Sequence, residues 1–474
     1  MNPLPEILLE IRKCSKKLQI YFKEILLENE QLRAEIAKLR ARINANSTNS
    51  SRPPSANPFL KPKSLRIKTG RKPGGQPGHK GATLQVRQTP DVVIKHEIDT
   101  CSHCGCDISM QAATLKQTRQ VLDVQITPVV TEHCIMSKTC MVCGKESTAK
   151  FPQGVGHYIQ YGDTYSSIIV CLNKGNYIPY ERLSNISKDI FGIAVSSGTL
   201  VNIIHKCGKS LDDSIDYIKD QLKQANVVCF DETGNRVKKQ NRWLHSASNE
   251  KYTYIKTHAK RGSDATDDIG ILPEFKGTAV HDFWKSYYNY PGCRHALCNA
   301  HILRELNGIS ENFAHAWPDK MKMLLLDIKQ NVDAAKGALN LSETIAYEVR
   351  YDKILESGEK ENSAKDALKR RGKRGRIAKS KASNLLERMK KYKKDILKFM
   401  TDTQVPFDNN LAERDIRMSK LQQKISGGFR SDEGSQAFDN IRSYISTATK
   451  HEISMFESIY SAISGNPLFA GDTS

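Results

Sequence analysis

The chain has no apolar run approaching the roughly 20 residues that span a bilayer. Its first residues lack the basic, apolar and small-residue order of a secretion signal. These absences set aside an integral membrane protein and an exported one, and a cytoplasmic location is expected. Acidic residues are in deficit: 52 Asp plus Glu against 72 Lys plus Arg leave a net charge of +20 over 474 residues. That excess suits a polyanion, and without a membrane anchor the polyanion is nucleic acid. Hydrophobic residues reach only 39%, diluted by coil, linker and basic segments. The length is too great for one core, so several domains are expected. Twelve cysteines in a reducing compartment point to metal binding or buried thiols rather than disulfides.

What is present divides the chain. Over residues 1–43 one heptad seam reads Leu4, Ile11, Leu18, Ile25, Leu32, Leu39, and the other Leu8, Ser15, Phe22, Asn29, Ile36, Ile43. This repeat predicts a coiled coil and a homo-oligomer, dimer or higher, with Asn29 the kind of buried polar residue that fixes register. Residues 44–92 are a linker rich in Asn, Ser and Pro that becomes basic from Arg66 to Gly81. Arg71 and Lys72 in it suit a phosphate backbone or a minor groove, and a solvated linker fits the composition equally.

Residues 93–150 carry Cys101-Ser-His-Cys104 and Cys140-Met-Val-Cys143, each followed by glycine. Two thiolate pairs read as one closed, structural, tetrahedral Zn2+ site in a zinc-ribbon-like domain. Cys106, Cys134 and His103 are rival ligands. The gap exceeds ordinary ribbon spacing, but Val121 to Val130 alternates like a strand and predicts one there. Residues 151–222 read as helical. A helix near Glu181–Phe191, a turn at Gly192 and a second helix capped by Ser196 match the helix-turn-helix pattern. Ser197, Thr199 and Lys206 on the second helix are DNA-binding candidates.

The catalytic core is expected at 223–300 and 401–450, split by a helical insertion at 301–400 and followed by a tail at 451–474. Val227 to Phe230 reads as a short buried strand delivering Asp231 and Glu232 to its carboxyl end, where open α/β sheets place their chemistry. Gly277 to Asp282 is a second strand ending in an acid, and Asn409 to Arg417 a helical segment carrying Glu413. Strand, hairpin, helix, strand and strand, with acids after the first and fourth strands, is the ribonuclease H arrangement. Two Asp and one Glu on these elements can converge on a pair of Mg2+ ions, or Mn2+, that clamp the oxygens of a phosphoryl transfer. Glu232 is either a supporting carboxylate or points away, since strand neighbours face opposite sides. His301 and Arg304, one helical turn apart, either orient a scissile phosphate or simply begin a helix. Asn410 shares a helical face with Glu413, and Arg414, Arg417 and Arg430 are phosphate-contact candidates. Trp284 is read as a packing residue rather than a stacking platform. The run Arg370, Arg371, Lys373, Arg374, Arg376 in the insertion is dense enough to favour a phosphate contact over a solvated face.

Several strings resemble the IS66 group of bacterial insertion-sequence transposases, enzymes of the Asp-Asp-Glu (DDE) class. The CxxC pairs look like that family's zinc-binding domain, and DETGNRVKKQNRWLHSAS its first catalytic block. KRG, VHDFWKSYY and HALCNAHILREL resemble the middle blocks, and NNLAERDIRM, KISGGFRS and SYISTATK the terminal one. The resemblance implies Asp231, Asp282 and Glu413 as catalytic, metal-binding residues, with Asp231 bridging two ions. It implies water-driven cleavage at transposon ends, then attack of the freed 3′ hydroxyl on target DNA. Helper proteins from the same element are possible partners beside double-stranded DNA. The competing class is a catalytically inactive DNA-binding regulator on the same scaffold.

Overall fold

The computed structural model describes residues 15–46, 49–50, 84–152, 154–313, 315–366 and 379–469, with Ile11 and Gly78. The start of the heptad pattern, Arg71 and Lys72, and the basic run Arg370, Arg371, Lys373, Arg374 and Arg376 lie outside the described residues.

Helix α1 (Lys16–Ile43) keeps both heptad seams in solvent. Leu18, Ile25, Leu32 and Leu39 are exposed, as are Phe22, Ile36 and Ile43. In residues 84–151 nearly every described residue is exposed. The regular structure there is one short hairpin, β1 (Ser137–Thr139) with β2 (Glu146–Thr148). The expected strand at Val121–Val130 is absent: those residues have no ladder partner and no core to face. Alternation alone does not make a strand when neither a partner nor a buried face exists.

Helices α2 (Asp163–Val170), α3 (Tyr180–Phe191), α4 (Ser197–Lys209) and α5 (Asp212–Lys223) follow. Between α2 and α3 the chain makes a π-helical turn at Cys171–Gly175. Gly192 ends α3 with a left-handed φ of 67°, a conformation glycine adopts without steric cost. Ser196 caps α4 by accepting the Thr199 N–H at 3.1 Å. Ile169, Leu183, Val195 and Leu200 form the small core between these helices.

The central sheet has five strands: β3 (Val227–Val237), β4 (Gln240–Ser248), β5 (Thr253–His258), β6 (Thr278–His281) and β7 (Arg294–Leu297). Their order is β5-β4-β3-β6-β7. The first three are antiparallel, and β3, β6 and β7 run parallel. Helix α6 (Ser263–Ile269) connects β5 toward β6. Gly277 is required where β6 approaches the entry to β3, because a Cβ there would stand 2.4 Å from the Asn226 carbonyl oxygen.

Apolar residues alternate between two cores, as strand geometry demands. Val228, Phe230 and Ala279 face one core with α4, α5 and the terminal helices. Cys229 and Val280 face the other. That second core is built with α7 (Asn299–Asn312), α8 (Trp317–Ala335), α9 (Leu341–Asp366), α10 (Lys381–Lys391), and the short α11 (Lys393–Ile396) and α12 (Lys398–Thr401). Helices α13 (Asn410–Ser426), α14 (Asp432–Lys450) and α15 (Met455–Ile463) complete the described chain. Edge strand β5 is covered by α14. The Thr253, Ile255 and Thr257 N–H groups donate to Thr447 Oγ1, Ser443 Oγ and Asp439 Oδ2 at 3.1, 2.9 and 2.7 Å. Acceptors four residues apart on one helix face thus match donors two apart on a strand. The architecture is mixed α/β, with a five-stranded mixed sheet and many helices, consistent with a ribonuclease H-like core.

Candidate active site at the ends of the parallel strands

The first strand is longer than its apolar run suggests. β3 continues to Val237, so Asp231 lies inside it rather than at its end. The parallel ladder with β6 nevertheless stops at Cys229. Beyond that point β4 alone pairs with β3 until a single bridge to Phe429 at Val237, and Asp231 stands at the opening where the parallel half of the sheet has ended. Asp282 follows β6 directly and is held by the Trp284 backbone N–H, which donates to its Oδ1 at 2.8 Å.

Side-chain alternation sorts the acids. Asp231 is opposite Ser246, in the antiparallel ladder that also pairs Thr233 with Leu244. Leu244 and Ile255 pack against Ile416 of α13, so Asp231 shares the face that α13 covers. Glu232 belongs to the opposite face. There Arg261 Nε and Nη2 both donate to Glu232 Oε1, at 3.0 and 2.7 Å, and the Tyr287 hydroxyl donates to Oε2 at 2.5 Å.

Glu413 lies in the first turn of α13, and the residue that anchors this helix is Asn409. Its backbone N–H donates to Cys298 Sγ at 3.1 Å, and its side-chain amide donates to the Phe230 carbonyl at 2.7 Å. The buried N-terminal residue of the Glu413 helix is thereby tied to the peptide just before Asp231. Asn410 is exposed, as are Arg414, Arg417 and Arg430. On α7, Arg304 Nη2 lies 3.4 Å from Glu413 Oε2, and His301 Nε2 lies 3.8 Å from Oε1. His301 Nδ1 is buried without a hydrogen-bond partner among the described residues.

The electrostatics record the crowding. Burial, then the charge of Glu232, push the Asp231 carboxyl up to about 8; Glu413 and Asp282 push the same way, and His301 opposes them. A carboxylate that cannot ionise comfortably among others of its kind is what a divalent cation relieves. Among the described residues, one group of three candidate ligand atoms lies within 4.8 Å of one another, namely those of Cys298, His301 and Glu413. Glu413 is therefore turned toward α7 and Arg304 rather than gathered with both aspartates. Burial holds the Cys298 thiol up to about 12, which suits a helix-capping hydrogen-bond acceptor more than a ligand for a hard cation.

The two cysteine pairs adopt matching turns. Cys101 N–H donates to Cys106 O and Gly105 N–H to Cys101 O, both at 2.9 Å. Cys140 N–H to Lys145 O and Gly144 N–H to Cys140 O repeat this at 2.8 Å. Backbone N–H groups of Cys106, and of Cys143 and Val142, hold the Cys104 and Cys140 thiols below their ordinary values. The four sulfurs do not form one close group among the described residues.

Ser197 and Lys206 are exposed and Thr199 half-buried, all on α4. Sequence reasoning missed Asn409 as an anchor and Cys298 as its acceptor. It also missed the Arg261 pair with Glu232; the signal available was the two adjacent acids, one of which needed a cation.

No helix among the described residues is long and apolar enough to cross a membrane. A comparison with curated proteins found no match. A family of unknown function, DUF6444, matches residues 6–85, across the heptads and the linker. The family described as Transposase IS66 family matches residues 159–437, which take in the sheet, both aspartates and the Glu413 helix, and the chain belongs to that family.

Proposed function

We propose that this transposase cuts DNA at the ends of its own element and joins the freed 3′ ends to target DNA, using Asp231, Asp282 and Glu413. The observation that carries the reading is geometric. Asp231 and Asp282 follow the paired stretches of two neighbouring parallel strands, and the helix bearing Glu413 is anchored through Asn409 over the face that Asp231 shares. Family membership implies divalent metal ions, and the raised, buried Asp231 carboxyl fits them. Asp231 and Asp282 would hold two Mg2+ or Mn2+ ions, and Glu413 would complete the set on exchanging Arg304 for metal. Bound there, the ions would stabilise charge on the attacking and leaving oxygens of the phosphodiester.

The protein's own contribution is positioning. The Trp284 N–H fixes one oxygen of Asp282, leaving the other for a ligand. Asn409 sets the distance between the Glu413 helix and the Asp231 strand. Arg304, released from Glu413, would meet a non-bridging phosphate oxygen, with His301 beside it. Exposed Arg414, Arg417 and Arg430 would lie along the backbone of the bound DNA.

Around this core we assign Cys101, Cys104, Cys140 and Cys143 to one structural Zn2+. A segment with almost no buried apolar surface has little else to fold it, and such segments gain their order from the metal. The exposed seams of α1 are assigned to coiled-coil pairing with a second copy, and α4 to double-stranded DNA.

The test is incubation of the full chain with labelled DNA from its element's ends and Mg2+, mapping any nick to the nucleotide. Cleavage at the element boundary is expected. Asp231→Asn should keep end binding and lose cleavage; cleavage undiminished in that variant would remove Asp231 from the site.

A further inference from the structure

Two of the chain's three tryptophans enclose one arginine. The Arg261 guanidinium carbon lies 3.1 Å from the centre of the Trp284 ring and 4.7 Å from that of Trp243. Its Nε and Nη2 reach one oxygen of Glu232, whose side chain is only 4% exposed. Tyr287 occupies the other oxygen. All the contacts lie on the sheet face opposite Asp231, and they touch both aspartates at one remove. Glu232 is the next residue after Asp231, and its charge is the largest of those acting on the Asp231 carboxyl. Trp284 supplies the N–H that holds Asp282.

We propose that Arg261 is a positioning residue for the metal-binding aspartates: through Glu232 it fixes the strand at Asp231, and through the Trp284 ring it fixes the turn at Asp282. It also neutralises the one acid of the cluster that is not a ligand, with both Glu232 oxygens already occupied. A guanidinium is suited to this and an ammonium is not. Its plane stacks on aromatic faces while its edge presents parallel donors, whereas lysine offers a point charge on a flexible stem. The inference rests on the assignment of Asp231 and Asp282 as ligands.

The test uses a property of the ion. Mg2+ demands near-ideal octahedral geometry, so a small displacement of the aspartates should harm cleavage with Mg2+ more than with Mn2+. The full chain, Arg261→Gln, Glu232→Gln and the double variant are compared in single-turnover cleavage of labelled end DNA with each ion. Arg261→Gln should raise the Mn2+-to-Mg2+ rate ratio by about tenfold or more, the scale on which groups supporting metal ligands act, with end binding unchanged. Glu232→Gln should raise it similarly. The double variant should be no worse than either single one, because the two residues act as a pair.

Equal losses with both ions would overturn the proposal, since general destabilisation or a direct phosphate contact lowers both rates together. So would effects that add in the double variant, or an unchanged ratio. If Arg261→Gln melts below the assay temperature, Arg261→Lys takes its place; a wild-type ratio there would show that the fork and the stack are dispensable. Asp231→Asn runs alongside. Cleavage by that variant sinks the metal assignment itself, whereas a dead Asp231→Asn with a normal ratio in Arg261→Gln sinks the role of Arg261 alone.

Discussion

Lys450, the last residue of α14, offers the sharpest test of how the Glu413 helix is held. Its Nζ has four acceptors within hydrogen-bond reach of its three N–H bonds: Ser248 Oγ at 2.7 Å, Asn249 O at 2.8 Å, Tyr252 O at 3.1 Å and Thr253 Oγ1 at 2.5 Å. It also lies 3.3 Å from Asp415 Oδ2, with side chains 13% and 14% exposed. Ser248 and Thr253 hydroxyls donate to the same Asp415 oxygen at 2.7 and 2.9 Å. One ammonium thus joins the turn between β4 and β5, the end of α14, and a carboxylate two residues past Glu413. Lys450→Met keeps the stem and removes the charge, leaving Asp415 buried without its cation. Breaking a buried pair from one side costs about 3–5 kcal/mol. For a domain of this size that lowers the melting temperature by roughly 10 °C. The assay is thermal unfolding followed by near-ultraviolet circular dichroism, with cleavage of end DNA measured beside it. Cleavage should fall with stability while zinc content is unchanged. The double variant Lys450→Met/Asp415→Leu should recover most of the loss, because replacing both charges by apolar groups is close to neutral. A shift below about 2 °C in the single variant would refute the reasoning, as would no recovery in the double.

Other expectations are simpler. Cys140→Ser should release zinc and loosen residues 93–150 without altering the sheet; one zinc per chain retained in that variant, by metal analysis of the dialysed protein, would contradict the ligand set. Removing residues 1–43 should lower the association state, read as mass by light scattering, and an unchanged mass would count against the coiled coil. His245 is buried beside the Lys260 carbonyl, and burial pushes its imidazole down to about 4. The folded state therefore binds fewer protons than the unfolded one, and the stability held above the unfolded pKa of about 6.5 drains away as pH falls toward 4. Against His245→Gln, the parent should lose about 3 kcal/mol over that range, at about 1.4 kcal/mol per pH unit; parallel pH–stability curves would exclude it. DNA affinity should fall steeply with salt, as expected for binding dominated by phosphate contacts, and a flat salt dependence would argue against a phosphate-led interface.

Parts of this arrangement are legible in the chain because local chemistry decides them. The hairpin shows in the alternation on either side of Asn249, and α4 in the serine that caps it. β3 and β6 show in their apolar runs, although the true length of β3 does not. Its second half, Asp231 to Val237, is polar and is held in place by β4 and α13 rather than by its own composition. Long-range pairing hid the rest. Nothing near Asn409 says that its amide reaches Phe230, 179 residues earlier, or that Arg261 belongs to Glu232. At Val121–Val130 the period-two pattern was present and its cause was not, because no neighbouring strand or core received it.

The hydrogen-bonding match between α14 and β5 carries a consequence for synthesis. β5 ends at His258 and the helix that shields it begins at Asp432, so a nascent chain carries an unprotected sheet margin for more than a third of its translation. Such margins recruit other strands. A polypeptide halted by a stop codon between β5 and α14 would keep that margin bare indefinitely, and aggregation rather than a soluble fragment is the fate its geometry favours.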